Sequence, residues 1–266
     1  MSNSILYAIT VVIWGSTWLA IEYQLGVVEP EVSIAYRYAV AALVLFAWCR
    51  FRGLSLRFGV KDHLYFVLLG LLLFCLNYIF AYRAQVYITS ALAAIAFSTM
   101  LWMNIILSRM IFGTRVTLHV LAGALLGIVG IVVLFAPQIE SIAVTDAMFF
   151  GSVLALGGAL TASFGNMLSQ SAQKRKLPVV ETNTWGMFYG AILTSIVALA
   201  SGHEFNFDAT FTYISSLAYL AIFGSVLAVG AYLTLLGRLG AHKAGYVTVM
   251  FPVVAVIRSV ALEGVR

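Results

Sequence analysis

Aromatic rings and uncharged polar groups recur inside the most apolar runs of this sequence. Trp14, Tyr78, Trp102, Tyr232 and Tyr246 stand among Leu, Ile, Val and Ala, as do Ser16, Asn77, Ser98, Asn104 and Asn166. Such side chains offer flat apolar faces and directed hydrogen bonds, which is the chemistry of holding a small molecule. Residues that would make or break bonds are dispersed. Asp62, Asp146 and Asp208 stand alone, the four histidines are scattered, and neither an HExxH pair nor a glycine-rich phosphate cradle occurs. Cys49 and Cys75 show neither metal-ligand spacing nor a disulfide framework. The sequence therefore reads as a binding protein and not an enzyme, with no metal and no cofactor.

The elements that carry these groups follow from composition. Of 266 residues, 62% are hydrophobic and 9% charged, with a mean hydropathy of +1.02. Soluble domains carry roughly 25% charged residues, so this chain is expected to lie in a bilayer. Its apolar runs are continuous rather than alternating, which predicts an all-α polytopic fold and not a barrel. With about 20 apolar residues needed per crossing, spans are predicted at 4–21, 32–50, 63–82, 86–108, 117–136, 147–171, 184–201, 212–237 and 242–262. The opening "MSNSILYAIT" lacks a basic region and a cleavage site and reads as a retained first span.

The net charge of +5 is read as cytoplasmic loops, not as nucleic-acid binding. One set of alternate loops holds Arg50, Arg52, Arg57, Lys61, Arg109, Arg115, Lys174, Arg175, Lys176, Arg238 and Lys243, while the other holds Arg83. That asymmetry predicts a cytoplasmic N-terminus. Glu22, Glu29, Glu31, Glu140, Asp146, Glu204 and Asp208 fall on the outer side.

Each polar group at depth has two readings. On a helix Tyr7, Val11, Trp14 and Trp18 share a stripe, with Gly15 and Ser16 beside it. Small residues let another helix approach, whereas a deep indole must bond a partner or face a wet cavity. Asn77, Tyr78, Asn104, Asn166 and Tyr232 serve either as bonds between helices or as cavity lining, since lipid offers no partner. Trp102 with Ser98, one turn apart, makes the same case in the fourth span. Pro252 removes a bond to the Thr248 carbonyl, so a kink there would expose polar groups near Tyr246. Arg37 and Arg258 lie inside spans, where an arginine costs about 2.5–3.5 kcal/mol even on the lenient scale. Pairing with Glu22 or Glu263 as an outer gate is one role open to them; attracting a substrate carboxylate is the other. Arg83, in a tight outer turn, reads as solvated. Glu22 is the one acidic candidate for proton coupling.

An internal repeat orders these features. "YFVLLGLLLFCLNYIFAYRA" and "YLAIFGSVLAVGAYLTLLGRLG" bring Tyr65, Gly70 and Tyr78 onto Tyr219, Gly224 and Tyr232 at one offset, and Pro30 falls on Pro178. Spans one to five (1–138) thus match spans six to nine (139–266), and an odd number per half inverts the second half in the membrane. Such inverted repeats are typical of secondary transporters.

"WGSTW" in the first span, Arg37 in the second and "LAGALLGIVGIVVLF" in the fifth resemble the drug/metabolite transporter superfamily, EamA type. "AYLTLLGRLGAHKAGYVTVMFPVVA", with Glu263 beyond it, is similar to that family's eighth and ninth spans. The resemblance implies ten helices in two inverted five-helix repeats. It also implies a secondary carrier in a bacterial inner membrane, exporting small metabolites such as aromatic or other apolar amino acids. Multidrug or toxic-compound efflux is the first alternative activity, and a membrane-embedded enzyme the more distant one. The implied partners are a small-molecule substrate and the lipid bilayer, with a homodimer possible and no nucleic acid. Three positions depart from the family pattern: Gly113 and Thr114 stand where a Glu is usual, Ser98 replaces a Pro, and the tenth helix is missing after Arg266.

Overall fold

The computed structural model describes residues 1–140 and 145–252. Among these the chain forms α1 (Asn3–Glu22), α2 (Pro30–Phe51), α3 (Val60–Tyr87) and a fourth crossing, α4, split into Ser90–Ser98 and Met100–Phe112. Next come α5 (Leu118–Glu140), α6 (Asp146–Lys174), α7 (Val179–Ala200) and α8 (Phe211–Leu239). A ninth, α9, starts as Ala241–Ala244 and resumes at 247–252 after a turn at Gly245 and Tyr246. Seven of these helices are long and apolar enough to cross a membrane, and no strand occurs among the described residues. The protein is an integral membrane protein.

Local chemistry sets the helix ends. The side chains of Ser2, Thr89, Thr145 and Thr210 accept bonds from the backbone N–H groups of Ile5, Leu92, Met148 and Tyr213, supplying partners the first turns lack. Pro30 opens α2, where its missing N–H costs nothing. Gly113, at φ +63°, ends α4 in a left-handed turn that a side chain would strain.

Two boundaries differ from the sequence reading for a shared reason. The helix α3 continues to Tyr87 through polar Arg83 and Gln85, and α7 begins at Val179, five residues before its predicted start at 184. Polarity suggested loops there, but Glu181, Thr182, Asn183 and Thr184 are all buried, so the helix accommodates them against its neighbours.

Contacts of the loop and helix-end charges gather at the two ends of the bundle. At one end Arg238 donates to the Met1 carbonyl (2.9 Å), Arg175 pairs with Asp62 (3.6 Å) and Lys174 sits over the Phe112 ring (3.9 Å). At the other Arg83 grips Glu31 with two bonds (2.9 and 2.7 Å), reaches Glu29 (3.3 Å) and contacts His203 (3.1 Å). The solvated Arg83 expected from sequence is thus half-buried and ion-paired. Between the ends, Leu43, Val133, Ile196 and other large apolar side chains face outward, as a lipid-contacting surface requires.

Tyr38, Phe74, Leu69 and Met187 are buried where α2, α3 and α7 meet. Here α3 meets α7 through backbone. A carbon added at Gly70 would lie 2.8 Å from Gly190 N and 2.9 Å from Gly186 O. Gly70→Ala is expected to force the helices apart at a cost of about 1–3 kcal/mol and to lower the melting temperature in detergent by roughly 5 °C. Gly230→Ala, with nothing within 4 Å, should leave it unchanged.

Candidate functional site

Trp14 and Trp18, one turn apart on α1, form one wall of an interior hollow of about 80 Å³. That is space for on the order of five water molecules. The opposite walls come from α3, through Phe74, Asn77 and Tyr78, and from α8, through Val229, Tyr232 and Leu233. Asn166 of α6 closes one side, and Phe97 and Phe251, from α4 and α9, close another. Aromatic rings dominate. The Trp14 and Tyr232 centroids lie 4.9 Å apart, Trp18 meets Phe97 edge-on at 5.0 Å, and Phe251 stands 5.9 Å from Trp18.

A short polar path crosses this lining. Asn166 Nδ2 donates to the Tyr232 hydroxyl (3.0 Å) and to Asn104 Oδ1 (3.3 Å). Asn77 Nδ2 donates to the Leu73 carbonyl (3.3 Å), which leaves Asn77 Oδ1 buried with no partner. Trp14 Nε1 reaches the Gly224 carbonyl (3.3 Å).

Two of those carbonyls belong to irregular helix. α3 widens into a π-helical stretch at Gly70–Leu76, and α8 does so at Leu220–Leu227. Wider turns offset the backbone ladder and expose carbonyls to side chains. Ser225 Oγ accordingly donates to Leu220 O, five residues back (3.0 Å).

Arg37 lies behind the Tyr78 wall. Its Nε donates to Ser225 Oγ (2.9 Å) and its Nη1 to the Tyr82 hydroxyl (3.4 Å), and its guanidinium carbon sits 4.5 Å from the Tyr78 ring centre. The residue is 1% exposed. Glu22, its partner in one sequence reading, is exposed at the end of α1 and forms no ion pair with it.

Of the sequence-derived candidates, Trp14, Asn77, Tyr78, Asn166 and Tyr232 share the hollow, and four others lie elsewhere. Ser16 bonds the Ile13 carbonyl (2.8 Å) and the Tyr219 hydroxyl, joining α1 to α8. Ser98 turns back onto Ile95 O (2.6 Å) beside the break in α4. Trp102 packs with Leu101, Val120 and Val249 between α4, α5 and α9, its Nε1 buried without a partner. Tyr246 donates to Val120 O (2.6 Å) and ties α9 to α5. Pro252 is buried and helical, and the observed break in α9 falls earlier, at Gly245 and Tyr246. Arg258 and Glu263 lie outside the described residues.

Trp18, Phe97 and Phe251 line the hollow without having been selected from sequence. Only Trp18 carried a signal, its place on the Trp14 stripe. The buried carboxylates Glu31 and Glu181 were likewise assigned to loops and not to the bundle interior.

Comparison with known proteins places this arrangement in context. The EamA-like transporter family model matches residues 2–136 and 149–266. Protein PagO of Salmonella typhimurium is 25% identical over 262 residues, covering 96% of this chain and 83% of that protein. The uncharacterized inner membrane transporter YedA of Escherichia coli K12 is 26% identical over 261 residues, covering 95% and 80%. The uncharacterized transporter YoaV of Bacillus subtilis is 22% identical over 247 residues, covering 91% and 82%. A solved crystal structure superposes with a TM-score of 0.79 at 18% identity, covering 99% of this chain and 88% of its own, and so shares the fold. With both halves of the sequence matched and the fold shared, this chain belongs to the EamA-like transporter family.

Proposed function

We propose that this protein is a secondary carrier that exports small metabolites with an apolar body, aromatic or branched amino acids above all, across a bacterial inner membrane. The observation carrying this reading is the shared aromatic hollow, whose walls come from residues 1–138 (Trp14, Asn77, Tyr78) and from residues 139–266 (Asn166, Tyr232). A site split between two units opens to either side when the units rock against each other. The π-helical stretches in α3 and α8, one in each unit, are natural places for that bending. The N-terminus, at the basic end of the bundle, faces the cytoplasm on this reading.

Within the hollow the rings would hold the apolar body, while Asn77 Oδ1 and the Asn166–Tyr232 pair would orient its polar end. Purified protein in liposomes should show saturable flux and counterflow of radiolabelled phenylalanine, leucine or a related amino acid. Absence of saturable flux across a broad panel would reject the carrier reading. Flux confined to hydrophobic drugs would replace it with multidrug efflux.

Trp14 also supplies a direct reporter. A transported compound should quench tryptophan emission as it enters, and Trp14→Phe combined with Trp18→Phe should remove most of that response. Trp48→Phe, at an exposed residue, should preserve it.

A further inference from the structure

We propose that the donors gathered around Arg37 form a carboxylate-binding subsite, and that the compound held in the hollow must carry an anionic group. This rests on the carrier reading above and narrows its substrate to acids and zwitterions.

The starting point is a charge without an opposite. Arg37 is buried at a depth where a cation is costly, and no carboxylate of the described residues lies within 4.0 Å of it. A guanidinium has N–H donors only and cannot lose its proton to escape the cost. Ser225 and Tyr82 accept from Nε and Nη1 and leave the rest of the fork without an acceptor among the described residues.

Unused donors stand near the fork. Tyr38, whose ring centre lies 5.5 Å from the guanidinium carbon, has a buried hydroxyl with no partner. Gln24 accepts from the Tyr82 hydroxyl (2.9 Å), and its Nε2 is buried with no partner. Two side chains thus hold unused N–H or O–H groups near a buried guanidinium that keeps free N–H donors of its own. A carboxylate would accept from the free guanidinium N–H groups, its two oxygens matching the planar fork, with the Tyr38 and Gln24 donors nearby.

The subsite adjoins the hollow. Tyr78 faces the cavity on one side and the guanidinium on the other. A turn of that ring opens a path from the aromatic chamber to Arg37. Asn77 Oδ1, an acceptor on the same wall, is placed for the ammonium of a zwitterion. An amine without a carboxylate would meet the arginine charge with nothing to balance it.

The test compares phenylalanine with its methyl ester and with phenethylamine in proteoliposomes holding the full chain. Wild type should favour phenylalanine at least about tenfold over either analogue. Tyr38→Phe deletes a hydroxyl that has no protein partner, so the melting temperature should hold. Its preference for phenylalanine over the ester should fall about tenfold, the worth of one hydrogen bond to a charged group. Arg37→Lys keeps the charge but loses the fork and should weaken phenylalanine further. Equal handling of acid and ester by wild type would overturn the subsite while leaving the carrier intact. An unchanged preference in Tyr38→Phe would do the same. Failure of all three compounds and of the wider amino-acid panel to move would remove the carrier reading, and this inference with it.

Discussion

A helix in lipid must answer its own backbone, because the solvent offers no hydrogen bonds in exchange. This chain loosens that ladder twice, at Gly70–Leu76 and Leu220–Leu227, and part of the candidate site is built from the repairs. Asn77 folds onto Leu73 O, Ser225 onto Leu220 O, and Trp14 crosses from α1 to Gly224 O. Each repair places a polar side chain deep in the bundle, beside or one layer behind the hollow. Ser225, once fixed, receives Arg37. The location of the binding groups therefore follows from where the two helices widen.

The same economy explains how a lone arginine is retained. Its charge is spread over a hydroxyl already polarised by donating to a carbonyl, a second hydroxyl from Tyr82, and the faces of Tyr78 and Tyr38. Cation–π contacts strengthen as water is removed, so burial that raises the cost also raises this compensation. The end of the bundle that holds Arg83 works differently. Arg83 and Glu31 meet as a directly bonded pair, with Glu29 and His203 alongside, and tie α2 and α3 to the segment after α7.

Much of this was legible in the sequence. Composition gave the helical membrane class, and the loop charges separate in space as they do along the chain. Trp14 and the Tyr78–Tyr232 correspondence pointed to groups that do share one hollow. Trp102, Ser98, Ser16 and Tyr246 fitted the same criteria and lie outside it. Periodicity fixes which residues share a helix face, but the partner of that face depends on how the helix is rotated, a tertiary property. Phe97 and Phe251 were illegible for the converse reason, since a phenylalanine in an apolar run is unremarkable until its neighbours are known. Polar segments such as Glu181–Asn183 read as loops because the helices that bury them are distant in sequence.

The near-contact of Gly70 with Gly186 and Gly190 bears on how such a molecule moves. Where two main chains touch with no side chains between them, little sliding is available and tilting meets the least resistance. This contact joins α3 to α7 and sits where the widened part of α3 begins. It has the geometry of a fulcrum, with the stretches of α3 on either side as its lever arms. On the proposed carrier reading, a small angular change there would be magnified toward both membrane faces, narrowing one mouth as the other spreads.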